Sequence, residues 1–234
     1  MIIAMIPARG GSKRIPRKNI KTFCGKPMLS YSIDAAMACG IFDDIIVSTD
    51  DAEIAEVARA CGASVPFMRP SKFADDYTGT RAVTNHAILS YEESIAKPEY
   101  CCCIYATAPF VQPEHLLQGY QQLVAKPDKA FSFSVTSFAF PVQRALKREG
   151  DGVVSMYPEF AATRSQDLEE GFHDAGQFYW GSYAGYLSDK AMFSKHSLPI
   201  VIPRHLVQDI DTTEDWARAE LMYKAYLQGK KNDS

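Results

Sequence analysis

The sequence predicts an α/β fold, a mostly parallel central sheet flanked by helices, on three observations. Residues 2–6 (IIAMI) and 100–106 (YCCCIYA) are almost wholly apolar. A strand buried on both faces reads this way, whereas a half-exposed strand alternates. Through residue 136 such runs alternate with segments of helical period, the order that lays strands parallel and puts crossover helices on both faces. At 234 residues, 47% hydrophobic and 23% charged, the chain can bury one substantial core, so residues 1–234 read as a single domain.

The first strand ends at Pro7 and empties into a basic loop. Arg9, Lys13, Arg14, Arg17, Lys18, Lys21 and Lys26 fall within 18 residues, and the first acid is Asp34. Residues 1–33 therefore carry +7 in a chain of formal charge −3. Cations at this density repel one another unless an anion sits among them. Gly10 and Gly11 at the strand exit let the backbone approach such an anion closely. The loop thus reads as a polyphosphate site, with a solvated charged face as the bland alternative. It is not a P-loop, because Gly25-Lys26 is followed by Pro27, and it contains no G-x-G-x-x-G. Only Phe23 and Tyr31 lie near the run and the chain is net acidic, which argues against nucleic acid as a partner.

Residues 27–39 follow as a helix, with Pro27 in its first turn, Gly40 as its C-cap and a stripe of Met28, Tyr31, Ala35 and Ala38. Residues 44–49 (DIIVST) form the second strand. Asp50-Asp51 opens a helix that carries Ile54, Val57, Ala58 and Cys61 on one face and stops at Gly62. Residues 64–67 read as a short third strand and 72–80 as a polar segment. A helix over 80–95 shows Val83, Ala87, Ile88, Tyr91 and Ile95 at helical spacing. The strand at 100–106 opens at its C-terminal end into the same crevice as the basic loop, where open parallel sheets bind ligands. Residues 113–124 read as a helix and 130–136 as a strand.

The alternation then breaks. Residues 145–148 and 153–157 flank Glu149-Gly150-Asp151-Gly152, a hairpin signal, and about 138–183 reads as an excursion from the sheet. Residues 200–202 are a short strand, 208–211 are extended, 213–228 form a helix and 229–234 a loose tail. In the extended piece, period 2 puts Asp209 and Asp211 on one side and Ile210 toward the core. Two carboxylates so placed repel unless a cation joins them, and Mg²⁺ takes one or two carboxylates plus substrate phosphates. Helix capping by Asp211 or Thr212 explains one acid but not the pair.

The six cysteines show no C-x-x-C spacing, and three are consecutive in an apolar strand. No apolar run reaches the length of a membrane span, and no secretory pattern opens the chain. The expectation is a cytoplasmic protein with reduced, mostly buried thiols and no membrane partner.

Residues 6–19, IPARGGSKRIPRKN, resemble the N-terminal signature of the cytidylyltransferases that activate eight- and nine-carbon acidic sugars, the CMP-N-acylneuraminic acid synthetase family. The resemblance implies a Rossmann-like nucleotidyltransferase fold and a reaction of CTP with a nonulosonic acid, giving the CMP-sugar and diphosphate. It implies catalytic roles for Arg9, Lys13, Lys18 and Asp211. The nucleotide would meet Ala8, Arg9, Gly10, Gly11, Ser12, Lys13, Lys18, Asn19 and Arg69, walled by Asp76, Thr78, Gly79 and Thr80. Asp209 and Asp211 would hold Mg²⁺, for which Mn²⁺ can substitute.

Residues 164–168 (RSQDL) and 173–181 (HDAGQFYWG) resemble the pseudaminic acid members in particular. The sugar would meet Tyr105, Thr107, Arg164, Gln166, His173, Gln177, Phe178 and Tyr179. A sugar acid needs a cation for its carboxylate, amide-type groups for hydroxyls and aromatic faces for its CH surfaces, and several of these residues supply those types. Tyr105 stands where sialic acid enzymes tend to place Gln, and Glu169 where related chains commonly have Pro. In the resembled family the excursion arms across a homodimer. The alternatives are another acidic sugar (sialic, legionaminic or 3-deoxy-octulosonic acid) or a phosphosugar, for which the chain offers no second basic cluster.

Overall fold

The computed structural model describes residues 1–232. The elements run β1 (Ile2–Pro7), a small clip of β2 (Thr22–Phe23) and β3 (Lys26–Pro27), α1 (Met28–Cys39), β4 (Asp44–Ser48), α2 (Ala52–Ala60), α3 (Thr80–Ser94), β5 (Tyr100–Ile104) and α4 (Pro113–Ala125). They continue with β6 (Phe131–Ser137), a hairpin of β7 (Leu146–Glu149) and β8 (Gly152–Ser155), β9 (Phe172–Ser182), α5 (Tyr183–Leu187), β10 (Ser197–Val201) and α6 (Thr213–Asn232). The central sheet has the order β10-β6-β9-β5-β1-β4. All neighbours are parallel except β9, which lies antiparallel to both β5 and β6. The expected α/β class with a mostly parallel sheet is therefore the fold observed.

Strand alternation divides the core between the two faces of the sheet. Ala4, Ile6, Cys102, Ile104, Phe178 and Trp180 pack with Leu29, Ile33, Ile54, Ala58 and Leu116 from α1, α2 and α4. Ile3, Met5, Cys101, Cys103, Phe131 and Tyr179 pack with Ala87, Ile88, Tyr91 and Tyr186 from α3 and α5. All six cysteines are free. Burial pushes the thiols of Cys101 and Cys102 well up and that of Cys103 to about 12, so these three are packing groups and poor nucleophiles.

A third cluster fixes the far end of the chain to its beginning. Trp216 and Ala219 of α6 pack with Ile15, Phe23, Met28, Tyr31 and Phe110. Phe23 meets Trp216, Tyr31 and Tyr223 edge-on, with centroids 5.4–5.6 Å apart. Buried Ile210 belongs to the same cluster, so burying it delivers residues 209–211 to the basic loop.

Three sequence expectations change. Residues 64–67 form no strand, only a parallel bridge between Ile46 and Ser64; Pro66 lacks the N–H a ladder requires. The excursion stops near residue 171, because Phe172–Ser182 returns as β9 inside the sheet. The tail is not loose from Gly229, since α6 continues to Asn232. A glycine inside a helix costs only about 1 kcal/mol. The last two residues of the expected tail lie outside the described residues. No helix among the described residues is long and apolar enough to cross a membrane.

Gly119 of α4 shows how tightly this core closes. A Cβ built there would stand 2.7 Å from Trp180 Cδ1 and 3.1 Å from Phe178 Cε2, and both rings are fully buried. In an open helix Gly→Ala stabilises by about 1 kcal/mol. Overpacking a rigid core costs about 1–3 kcal/mol, and here the second effect wins. Gly119→Ala is expected to lower the thermal midpoint; a rise in a melting curve would contradict the packing described.

Candidate active site

A cavity of about 440 Å³ opens at the C-terminal ends of β1 and β5. Its basic wall is Arg9, Ser12, Lys13, Arg14, Lys18 and Asn19. Arg69, Asp75, Asp76, Thr78 and Thr80 form another side, and Tyr105, Ala106, Thr107 and Asp211 complete it. The N-terminal cations and the C-terminal acid thus share one space, although 193 residues separate Lys18 from Asp211.

The cations are already paired. Arg9 and Lys13 both reach Asp76, at 2.7 and 2.5 Å, and Arg9 Nη1 also donates to the Asp75 carbonyl at 2.8 Å. Lys13, then Arg9, holds the Asp76 carboxyl below the usual carboxylate range. Arg14 and Lys18 reach Asp211 at 3.0 and 3.4 Å, and Lys18 Nζ donates to the Ile210 carbonyl at 2.7 Å. Solvent screens exposed pairs of this kind, so they add little to stability. A polyphosphate offers several charges at once and can displace Asp76 from its two cations.

Other loop residues hold the cradle's shape. Arg17 sits in the left-handed region at φ 55°. Its guanidinium forks onto Asp51 at 2.5 and 3.1 Å and also reaches Glu53. Asp51 in turn accepts from the Ile54 amide to cap α2, and Arg17 holds its carboxyl below the usual range. The Gly10 amide donates to Asp50 Oδ1 at 3.0 Å, and a Cβ on Gly10 would stand 2.7 Å from Asp51 Oδ2. Gly10 is therefore glycine so that the loop can press onto Asp51. Asn19 is buried and donates to the Arg9 carbonyl at 2.9 Å.

Arg69 is 5% exposed and donates to the carbonyls of Ser48 and Phe73. Burial lowers its pKa from the ordinary arginine value. It braces the segment that carries Asp75 and Asp76 against the sheet.

A second cavity, of about 270 Å³, shares Thr80 and Tyr105 with the first and adds Thr84, Cys103, Asp174, Tyr179, Met192 and Phe193. The Tyr105 and Thr80 hydroxyls lie 2.9 Å apart, and the Tyr179 hydroxyl donates to Asp174 Oδ2 at 2.6 Å. Burial raises the pKa of both tyrosines. Arg81 also lines this cavity, but its guanidinium donates to the carbonyls of Gly185, Tyr186, Ser188 and Lys190 around the end of α5.

Several sequence candidates lie elsewhere. Phe178 is fully buried on the sheet face opposite Tyr179; adjacent strand residues point to opposite faces, so Phe178 packs the core and contacts no ligand. Ala8 is likewise core. Gln177 is buried, with Nε2 donating to the Leu206 carbonyl at 2.6 Å and Oε1 unpaired. His173 is exposed against the Phe138 ring. Arg164 pairs with Asp167 at 2.7 Å, Gln166 is exposed, and no residue of 138–171 lines either cavity. Gly11, Gly79 and Asp209 are not among the lining residues.

Sequence reasoning left Arg14, Asp75, Asp174, Met192 and Phe193 out of the site. Arg14 belongs to the basic run and Asp174 to the 173–181 motif, so a signal existed for both. Met192 and Phe193 are loop residues with no periodic signature.

The carboxylate pair can be tested for a metal by its donor chemistry. Asp209 is exposed, Ile210 is buried and Asp211 is partly exposed, and of the two acids only Asp211 lines the cavity. Among the described residues no group of three or more His, Cys, Asp or Glu could enclose a metal. One or two hard oxygen donors beside an anionic ligand suit Mg²⁺, which is bound through few carboxylates and substrate phosphates.

A family model described as cytidylyltransferase matches residues 3–214. The chain is 44% identical over 223 residues to the pseudaminic acid cytidylyltransferase of Campylobacter jejuni subsp. jejuni serotype O:2, covering 95% of this chain and 96% of that one. It is 29% identical to the CMP-N,N'-diacetyllegionaminic acid synthase of Legionella pneumophila, covering 94% of each. A solved CMP:2-keto-3-deoxy-manno-octonic acid synthetase complexed with CTP superposes with a TM-score of 0.68 at 15% identity, covering 96% of this chain and 99% of the other. At that identity the likeness concerns the fold.

Proposed function

The chain belongs to the cytidylyltransferase family, and from that premise we propose that it joins CTP to pseudaminic acid, giving CMP-pseudaminic acid and diphosphate. The observation that supports this most is the meeting of Arg9, Lys13, Lys18 and Asp211 around one cavity. That cavity adjoins a second one through Thr80 and Tyr105, to which Tyr179, Tyr186 and Phe193 add aromatic faces.

Arg9 and Lys13 release Asp76 to take the triphosphate. Lys18, anchored on the Ile210 carbonyl, sets its ammonium between phosphate and Asp211. Ser12 and Asn19 line the cradle and Arg69 braces the facing wall. The anomeric hydroxyl of the sugar attacks the α-phosphorus in line. A new O–P bond forms, the bond to the oxygen bridging the α- and β-phosphates breaks, the hydroxyl proton passes to solvent, and diphosphate leaves. Positioning and charge neutralisation supply most of the rate. Asp211, with Asp209, would hold Mg²⁺, for which Mn²⁺ could substitute, and the ion would supply Lewis-acid polarisation of phosphate.

Tyr105, Thr107 and Tyr179 would contact the sugar. Arg164, Gln166 and His173 would do so only across a homodimer, from the arm or its stem. Exposed apolar side chains support such a partner: Phe140 is 81% exposed, and Leu146 and Val153 on the hairpin are more than half exposed. A cytoplasmic site of action fits the use of CTP.

Incubation with CTP, Mg²⁺ and single sugar acids, read as diphosphate release, tests the reading. Turnover is expected with pseudaminic acid above sialic, legionaminic and 3-deoxy-octulosonic acids. A preference for one of the others would reassign the acceptor, and no turnover with any acidic sugar would remove the proposal.

A further inference from the structure

Both carboxylate oxygens of Asp211 already hold a cation of this chain. Oδ2 takes the Arg14 guanidinium at 3.0 Å, and Oδ1 takes the Lys18 ammonium at 3.4 Å. The two cations are held differently. Lys18 is mostly buried and makes a second bond, to the Ile210 carbonyl at 2.7 Å. The Arg14 side chain is 67% exposed and has no second carboxylate among the described residues. Its backbone is nonetheless fixed, because Ile15 beside it is buried in the cluster that also holds Ile210. Across the contact, Asp215 Oδ2 accepts the Asp211 amide at 3.2 Å. Arg14 and Asp211 therefore stand on anchored backbones, and the part able to swing away is the guanidinium.

We propose that Arg14 is a placeholder for the metal at Asp211 and gives up its place when a triphosphate arrives, so that filling of the metal site waits on the nucleotide. A divalent ion and a guanidinium repel each other and cannot both sit on Asp211 Oδ2. In the empty site a metal must therefore break the Arg14 pair. A triphosphate offers the guanidinium two parallel N–H···O bonds to phosphate oxygens, in place of one contact with Asp211. Arg14 lines the same cavity as Lys13 and Lys18, so this exchange keeps it inside the site. Once Arg14 has turned to phosphate, a metal meets Asp211 with that pair already broken. Nucleotide and metal then assist each other by the strength of the pair, and by linkage the help is equal in both directions. This coupling rests on the proposed metal site at Asp211 and adds what controls its filling.

Mn²⁺ titrated into the whole chain, with unbound Mn²⁺ read by its electron paramagnetic resonance signal, tests the exchange without any acceptor sugar. Wild type should bind Mn²⁺ more tightly with one equivalent of CTP than without it. In Arg14→Gln the Kd for Mn²⁺ without CTP should fall about three- to fivefold, the size of one partly exposed ion pair. With CTP bound it should stay within about 1.5-fold of wild type, since the pair is already broken there. Loss of a positive charge alone would tighten Mn²⁺ in both titrations, because a field acts whether or not the pair is made. Arg14 is exposed, so the thermal midpoint should not move. Asp211→Asn should weaken Mn²⁺ in both titrations, and adding Arg14→Gln to it should gain nothing. Equal Mn²⁺ affinity of Arg14→Gln and wild type without CTP would overturn the placeholder role. So would an equal gain in both titrations, or a gain that persists in the Asp211→Asn background. If Asp211→Asn binds Mn²⁺ as wild type does, the metal site itself is refuted and the placeholder role with it. A wild type that turns over no sugar acid would remove the proposed transfer without touching these titrations.

Discussion

Asp211→Ala is expected to lower turnover about 10²- to 10³-fold while leaving the fold intact. Two terms of different size decide this. Asp211 is partly exposed and pairs with Arg14 and Lys18 at 3.0 and 3.4 Å. Losing such pairs costs about 1 kcal/mol of stability or less. Ile210 beside it remains buried and holds the segment in place. The catalytic term is larger, because a metal acting as Lewis acid is worth several kcal/mol in the transition state and each 1.36 kcal/mol is tenfold in rate. Steady-state diphosphate release and a melting curve separate the two. The Mg²⁺ concentration for half-maximal rate should also rise in Asp211→Asn, which keeps the shape and removes the charge. Near-normal turnover in Asp211→Ala would contradict the metal role.

Arg69→Met is expected to lower stability by about 2–4 kcal/mol and to weaken CTP binding as well. The Ser48 carbonyl keeps one partner, the Ala8 amide at 3.0 Å. The Phe73 carbonyl instead loses the guanidinium that holds it. An unpaired buried polar group costs about 1–3 kcal/mol, and imperfect filling of the site adds to that. For a chain of this size 1 kcal/mol corresponds to about 2–4 °C, so the midpoint should fall by roughly 5–15 °C. Because Phe73 leads directly into Asp75 and Asp76, release of this brace should also raise the Kd for CTP. Arg69→Lys should recover little, since an ammonium cannot span two carbonyls as the planar fork does. A midpoint within 1 °C of wild type would show that the brace is dispensable.

The parts of this molecule that were legible in the sequence are those whose signal is local. Residues 2–6 and 100–104 are apolar without alternation and form neighbouring buried strands. Pro27 and Gly40 bracket α1, and Asp51 caps α2 as its type suggests. The basic run and Asp211 were each readable as chemistry. Their meeting depends on Trp216 and Ile210 docking beside Phe23 and Ile15, a contact between chain ends that no period encodes. The aromatic run 177–183 was visible, but its place between β5 and β6 is set by non-local pairing. That placement also decides which of two adjacent aromatics faces the site. Once 178 and 179 lie in a strand, only one can, and it is Tyr179. Arg164 and Gln166 carry the right chemistry on a segment that lies off both cavities of its own chain.

Ser137 and Phe172 are cross-strand partners, so residues 138–171 leave and re-enter the scaffold at a single rung, with the two ends of that segment about 5 Å apart. It is a cassette plugged into one socket. Its length and chemistry can drift between lineages without retuning the sheet beneath it.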